Sequence, residues 1–253
     1  MARMYQIYFF ILLMTGLSAC RGTRQTSRVD VSPAASVSRT EVLAIAEAYR
    51  VHQWRPQAHN IRHGNDSRGI RIDTPDSQFK PKNGIRPGWW IVGEWNQGVP
   101  YQWGGFDSLE QFDAKVSAGL AAGDVYTTAK RAALYNAVSP EACGIDCSGF
   151  ISRCWRLPRA YSTRELPTLC QPLQDTSVLQ PGDILNKTNE HVLLFAGWAD
   201  AAKSRYFAYE TGSPPTWKVV RNTIPVAYTS GLGYKPFRYL GIREDDTPDS
   251  KSD

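Results

Sequence analysis

Cys147 is the residue of this sequence best suited to act as a nucleophile. It lies in Gly144-Ile145-Asp146-Cys147-Ser148-Gly149-Phe150-Ile151, and the apolar residues Phe150, Ile151, Cys154 and Trp155 then recur at steps that share one helical face. A helix beginning near Cys147 holds the thiol at the positive end of the macrodipole, which favours thiolate, the nucleophilic form. Such a nucleophile needs a base, and the base needs a group to orient it. His191 is the only histidine downstream, and it opens the apolar run His191-Val192-Leu193-Leu194-Phe195-Ala196-Gly197. In the next run, Tyr206-Phe207-Ala208-Tyr209-Glu210-Thr211, Glu210 is the only strong acceptor for the second ring nitrogen, with Tyr209 or a main-chain group as alternatives. The chemistry these types support is acyl transfer: thiolate attack on a carbonyl, a thioester, and proton transfer through the imidazole. The Cys147 N–H, an unpaired amide of a helix N-terminus, is a natural oxyanion donor.

The elements that must position these groups come in a legible order. Ser38-Arg39-Thr40-Glu41 has capping-box spacing and starts an amphipathic helix running to about Trp54. Residues 56–88 are dense in Gly, Pro, Asn and Asp, with one short strand at Ile70-Arg71-Ile72. The pair of glycines in Tyr101-Gln102-Trp103-Gly104-Gly105 marks a tight turn. Residues 108–138 read as one or two helices, and Pro158 and Pro167 follow the Cys147 helix in a loop. Strands are expected after the turn Leu179-Gln180-Pro181-Gly182-Asp183, at His191–Gly197, Tyr206–Thr211, Trp217–Ile224 and Phe237–Ile242. Helices first and closely spaced strands afterwards predict an α+β fold, an antiparallel sheet packed against the helix that carries Cys147. The acidic stretch 243–253 reads as a disordered tail. No internal repeat is present.

Composition bounds the rest. With 253 residues and 42% apolar content, the chain can bury the core of one elaborated domain. The net charge of +5 is spread without dense runs, which argues for a mildly basic surface and against a nucleic-acid partner. At the N-terminus, Arg3 precedes an apolar run from Tyr5 to Met14, too short for a comfortable membrane span and suited to an export signal. Leu17-Ser18-Ala19-Cys20 resembles the bacterial lipobox. That resemblance implies a signal peptide over 1–19, acyl chains (palmitate among them) on Cys20, a flexible tether over 20–37, and a body outside the cytoplasm. Four cysteines then remain. Cys147 and Cys154 sit about 10 Å apart on a helix, too far to bridge, so at most one disulfide is expected, Cys143 or Cys154 with Cys170. His52, His59 and His63 share no regular element, no Cys/His spacing suggests zinc, and no metal or organic cofactor is implied.

Four motifs, Tyr101-Gln102-Trp103-Gly104-Gly105, Asp146-Cys147-Ser148-Gly149-Phe150, Leu179-Gln180-Pro181-Gly182-Asp183-Ile184-Leu185 and His191-Val192-Leu193-Leu194-Phe195-Ala196-Gly197, resemble in order those of the NlpC-type cell-wall cysteine peptidases. The resemblance covers roughly residues 95–242. It implies a papain-like fold and cleavage of peptide bonds in the peptidoglycan stem, often between D-glutamate and the diamino acid. By resemblance Cys147 is the nucleophile and His191 the base. Tyr101, which would serve equally as a core aromatic, matches a tyrosine near the sulfur that binds substrate or stabilises the oxyanion, a region that Asp146 and Ser148 flank. Three departures stand out. Residues 106–145 form an insertion, read as a lid or specificity wall. The third catalytic position, often His, Asn or Gln in the family, falls to Glu210. Residues 38–94, a helix and an irregular arm, match no targeting domain. The expectation is a monomeric, lipid-anchored cysteine hydrolase of the bacterial cell envelope acting on stem peptides. Two alternatives remain: a papain-like amidase or acyltransferase for lipid or other acyl substrates, and an inactive cell-wall-binding lipoprotein whose insertion blocks the sulfur.

Overall fold

Helices gather in the first part of the chain and strands in the second, as the apolar periodicity requires. The computed structural model describes residues 36–81, 86–212 and 217–245, which form one unit. The expected signal peptide, Cys20 and nearly all of the tether lie outside these residues. Helix α1 (Arg39–Val51) starts on a complete capping box: the Ser38 hydroxyl accepts from the Glu41 N–H, and the Glu41 carboxylate accepts from the Ser38 N–H at 2.8 Å. It stops three residues short of the expected end because Gln53–Trp54 turns to pair with Asn96–Gln97. Helices α2 (Leu109–Ser117), α3 (Thr128–Ala133) and α4 (Cys147–Cys154) follow.

Six strands build the sheet: β1 (Cys170–Pro172), β2 (Ile184–Lys187), β3 (His191–Trp198), β4 (Arg205–Glu210), β5 (Val220–Pro225) and β6 (Lys235–Tyr239), with α5 (Val226–Gly231) between the last two. Their spatial order is β5-β4-β3-β2-β6-β1, and every neighbouring pair is antiparallel. The fold is therefore α+β. Strand β1 falls in a stretch that reads as loop. It is short, carries Pro172 and occupies the sheet edge, where a proline costs no ladder bond.

Helix α4 buries Phe150, Ile151, Cys154 and Trp155 completely, in one core with Val192 and Leu194 of β3 and Val42, Ala46 and Tyr49 of α1. Side chains of this size stabilise by about 1.5–3 kcal/mol each when fully buried. Trp155 also stacks on Tyr239, with ring centroids 4.7 Å apart. A second cluster with Leu193, Phe195, Tyr206 and Ile224 draws on the alternate residues of the same strands, and Val226 and Tyr234 pack against it.

The boundary drawn at 94/95 is not a physical one. Trp54 and Trp90 belong to the same core as α4, and so does Phe112 of the insertion, 5.1 Å from Trp54. The first half of 106–145 is thus core rather than lid, and Ala121–Ala122 pairs with Ala142–Cys143 to close its base. The expected tail also starts too early. Ile242–Arg243 pairs in parallel with Val37–Ser38, Glu244 accepts from Arg39, and Asp245 accepts from the Thr40 N–H at 3.1 Å. The buried Arg39 continues to Asp183 and the Pro181 carbonyl, so Pro181-Gly182-Asp183 anchors α1 to the sheet. Cys143, Cys147, Cys154 and Cys170 are all free thiols, and neither expected disulfide forms. Among the described residues no helix is long and apolar enough to cross a membrane.

Candidate active site

The first turn of α4 is set by two glycine turns packed backbone to backbone. Asp146 is the N-cap, with extended φ/ψ of −94° and 177°. Its Oδ1 accepts from the Gly149 N–H at 2.6 Å and from the Ser148 hydroxyl at 3.0 Å. The Asp146 N–H donates to the Gly105 carbonyl at 3.1 Å. A Cβ on residue 149 would lie 2.1 Å from that same carbonyl oxygen, so only glycine lets the Trp103-Gly104-Gly105 turn approach. Cys147 emerges from this junction half-buried at the first helical position. Among the described residues, no main-chain acceptor takes its N–H. Burial raises the Asp146 carboxyl above its ordinary pKa, and the helix N–H donors oppose that. Asp146 and Ser148, expected beside the oxyanion or substrate, bond to each other and to the helix terminus.

His191 opens β3, where Val192 faces Asn186 of β2 and Leu194 faces Tyr209 of β4. That register puts Glu210 diagonally beside the imidazole, and His191 Nε2 lies 2.9 Å from Glu210 Oε2. Behind it, Asn222 of β5 donates from Nδ2 to Glu210 Oε1 at 2.6 Å. Asn222 faces Ala208, on the same side of the sheet as Glu210. The His191 side chain is 14% exposed and that of Glu210 6%. With Nε2 committed to Glu210, Nδ1 is the nitrogen left for the sulfur. Burial alone would lower the His191 pKa. Its hydrogen bonds to Cys147 and Glu210, and the negative charge those groups carry, outweigh burial and raise it to about 10. The charged form of the imidazole is therefore favoured, between the Glu210 carboxylate and the Cys147 sulfur.

Tyr101 is buried and fixed by its backbone, donating to the Trp217 carbonyl at 2.9 Å and accepting from the Asp124 N–H at 2.8 Å. Its ring leans on the bare backbone of Gly212 (φ +84°), where a Cβ would come within 2.5 Å of Cε2. Burial first, and then the charge of Cys147, hold its phenol well above the usual tyrosine pKa, so it stays a neutral hydroxyl. Tyr101 is thus a core aromatic that also feels the charge of Cys147.

Asn222 and Tyr234 escaped the sequence reading. Tyr234 meets the His191 ring edge-on, with centroids 6.5 Å apart at 89°. Burial, followed by the charges of Glu210 and Cys147, raises its phenol pKa. Neither residue sits in a motif. Asn222 could be found only by counting register across the β4–β5 connection. The upstream histidines do not converge: His52 pairs with Asp113 at 2.7 Å and His63 with Asp76 at 2.9 Å. Among the described residues no group of three or more His, Cys, Asp or Glu side chains comes together in a way that would hold a metal ion.

A thiol at a helix N-terminus, a cationic imidazole held by a buried carboxylate, an open amide and a neutral phenol can together carry out nucleophilic acyl transfer. No protein-family model, curated protein or solved structure matches this chain.

Proposed function

We propose that the protein is a papain-like cysteine hydrolase that cleaves amide bonds in peptidoglycan stem peptides, acting as a monomer at the bacterial cell envelope through a lipid on Cys20. The observation that carries the chemistry is the line Cys147–His191–Glu210–Asn222, in which each side chain bonds the next. The substrate class and the envelope location rest on the motif and lipobox resemblances in the sequence.

The thiolate attacks the carbonyl carbon, with the oxyanion facing the Cys147 N–H and the Tyr101 hydroxyl. Collapse breaks the C–N bond as His191 gives its proton to the leaving amine, and a thioester remains. Water then adds, His191 takes its proton, and the C–S bond breaks to release the acid and restore the thiolate–imidazolium pair. Cys147 as a residue is only half-buried, which argues against an insertion that covers it entirely.

The test is release of soluble stem-peptide fragments from purified peptidoglycan. The wild type should release them and Cys147→Ala should not. Equal release by both would remove Cys147 from the reaction. Turnover of acyl lipids, with intact peptidoglycan left untouched, would transfer the same relay to the amidase or acyltransferase reading.

A further inference from the structure

Helix α3 carries two adjacent cations that go opposite ways. Lys130 is 4% exposed, and its ammonium pairs with the fully buried Asp124, whose Oδ1 also accepts from the Asp73 N–H at 3.1 Å. The helix is pinned further where Thr127 caps the Lys130 N–H at 3.1 Å and the Leu134 carbonyl accepts from Trp103 Nε1 at 3.1 Å. Asp124 in turn holds the turn beneath the sulfur through the Trp103 N–H and the Tyr101 carbonyl. Next along the helix, Arg131 reaches across to β3. Its Nη2 donates at 3.1 Å to the carbonyl of Glu190, the residue just before His191. Its guanidinium lies 5.0 Å from the Tyr126 ring centroid.

Arg131 is half-buried, yet among the described residues no carboxylate pairs with it, and its buried Nε has no acceptor. Arg39, Arg50, Arg62, Arg71, Arg159 and Arg238 meet carboxylates, while Arg55, Arg86, Arg153 and Arg164 bond to carbonyl or amide oxygens as Arg131 does, and of these Arg131 is the one whose acceptor directly precedes His191. A guanidinium is always charged and suits planar carboxylates, so a fixed one without a counter-ion beside a nucleophile calls for a ligand. Tyr101, which feels the charge of Cys147, also feels that of Arg131.

We propose that Arg131 is a specificity-determining residue, its guanidinium held against the residue that precedes His191 to receive a free carboxylate that the substrate carries close to the scissile bond. The selected ligands are acidic acyl compounds, and their neutral carboxamide counterparts are discriminated against. The inference rests on Cys147 as nucleophile and narrows the substrate class proposed above.

The test compares alkylation of Cys147 by iodoacetate and by iodoacetamide, followed on the Cys147 peptide by mass spectrometry in the full-length protein. The two reagents share an electrophilic carbon and differ in a carboxylate against a carboxamide. The wild-type iodoacetate/iodoacetamide rate ratio should exceed that of Arg131→Gln by about tenfold. Arg131→Lys should keep part of the preference, since it keeps the charge without the planar fork. A ratio in Arg131→Gln within twofold of wild type overturns the proposal. So does a wild-type ratio no higher than that of glutathione, which needs no variant to fold. A matched pair of stem peptides, with a carboxylate or a carboxamide next to the cleaved bond, supplies the substrate arm. There, discrimination in kcat/KM should fall about tenfold in Arg131→Gln. If the alkylation preference holds and neither peptide is cut, the stem-peptide reading fails and the anion site stands.

Discussion

Exchanging Glu210 for glutamine tests the relay with almost no change of shape. In the wild type Oε1 takes the Asn222 amide at 2.6 Å and Oε2 faces His191 Nε2 at 2.9 Å. Asn222 can only donate from Nδ2, so the new carbonyl stays with it and the new NH₂ turns to His191. Nε2 must then accept, and the ring proton moves to Nδ1, the nitrogen that serves the sulfur. A hydrogen bond to a charged partner is worth about 1.5–3 kcal/mol, equivalent to about one to two pH units. The His191 ionisation, raised to about 10 in the wild type, should fall to about 8–9 in Glu210→Gln. The wrong tautomer should lower kcat by about 10³–10⁴, as the corresponding Asp→Asn change does in a serine-protease triad. Alkylation of Cys147 by iodoacetamide between pH 6 and 11 reads the first effect, and hydrolysis rates read the second. The same shift makes a stability statement. A histidine held above its ordinary 6.5 stabilises the fold fully below that pH and loses the contribution as pH rises through about 10. Tm should therefore fall more steeply from pH 7 to 10 in the wild type than in the variant. An unmoved pH profile, with kcat within tenfold of wild type, would show that Glu210 does not orient the base.

Gly212→Ala forces a Cβ to 2.5 Å from Tyr101 Cε2 at a φ of +84°, so it should cost about 1–3 kcal/mol and displace the phenol. Thermal melts and near-UV circular dichroism check this; a changed aromatic spectrum with full activity would separate Tyr101 from the reaction. Lys130→Met strands the buried Asp124, which burial already pushes up to about 6 despite its partner, and should destabilise by about 3–5 kcal/mol. Denaturant titration checks it, and the double change with Asp124→Asn should recover most of the loss. In a Cys20→Ser background, a thiol reagent should modify one cysteine quickly, Cys147. The buried Cys143, Cys154 and Cys170 should react only on unfolding, and rapid modification of more than one thiol in the native protein would contradict the packing.

The grouping of Cys147, His191 and Glu210 was legible from sequence because they lie in periodic segments. The apolar stripe behind Cys147 fixed the helix face, and alternation put Glu210 on the strand next to His191. What escaped depended on long-range packing. Trp54 and Phe112 read as the end of the first helix and as insertion, because sequence separation hides that they share a core with Phe150. Strand β1 is three residues long and exists only because β6 offers it an edge. Asp146 and Ser148 were legible as flanks of the thiol, but not that Asp146 caps the helix while Ser148 donates its hydroxyl to the same carboxylate oxygen. Glu244 and Asp245 read as tail by composition, which carries no trace of the bonds they make to Arg39 and Thr40.

Those last bonds have a mechanical consequence. Val37–Ser38 and Ile242–Arg243 run parallel at the two ends of the domain, so tension applied to those ends pulls the strands in opposite directions along their axes. The load falls in shear on the strand pair, on the Arg39–Glu244 ion pair and on the Thr40–Asp245 bond at once, instead of peeling them one after another. Such a clamp gives the domain resistance to being pulled open from its two ends. Because Arg39 also grips Asp183, force entering at the clamp passes into the base of β2 and the sheet before it can reach the first turn of α4.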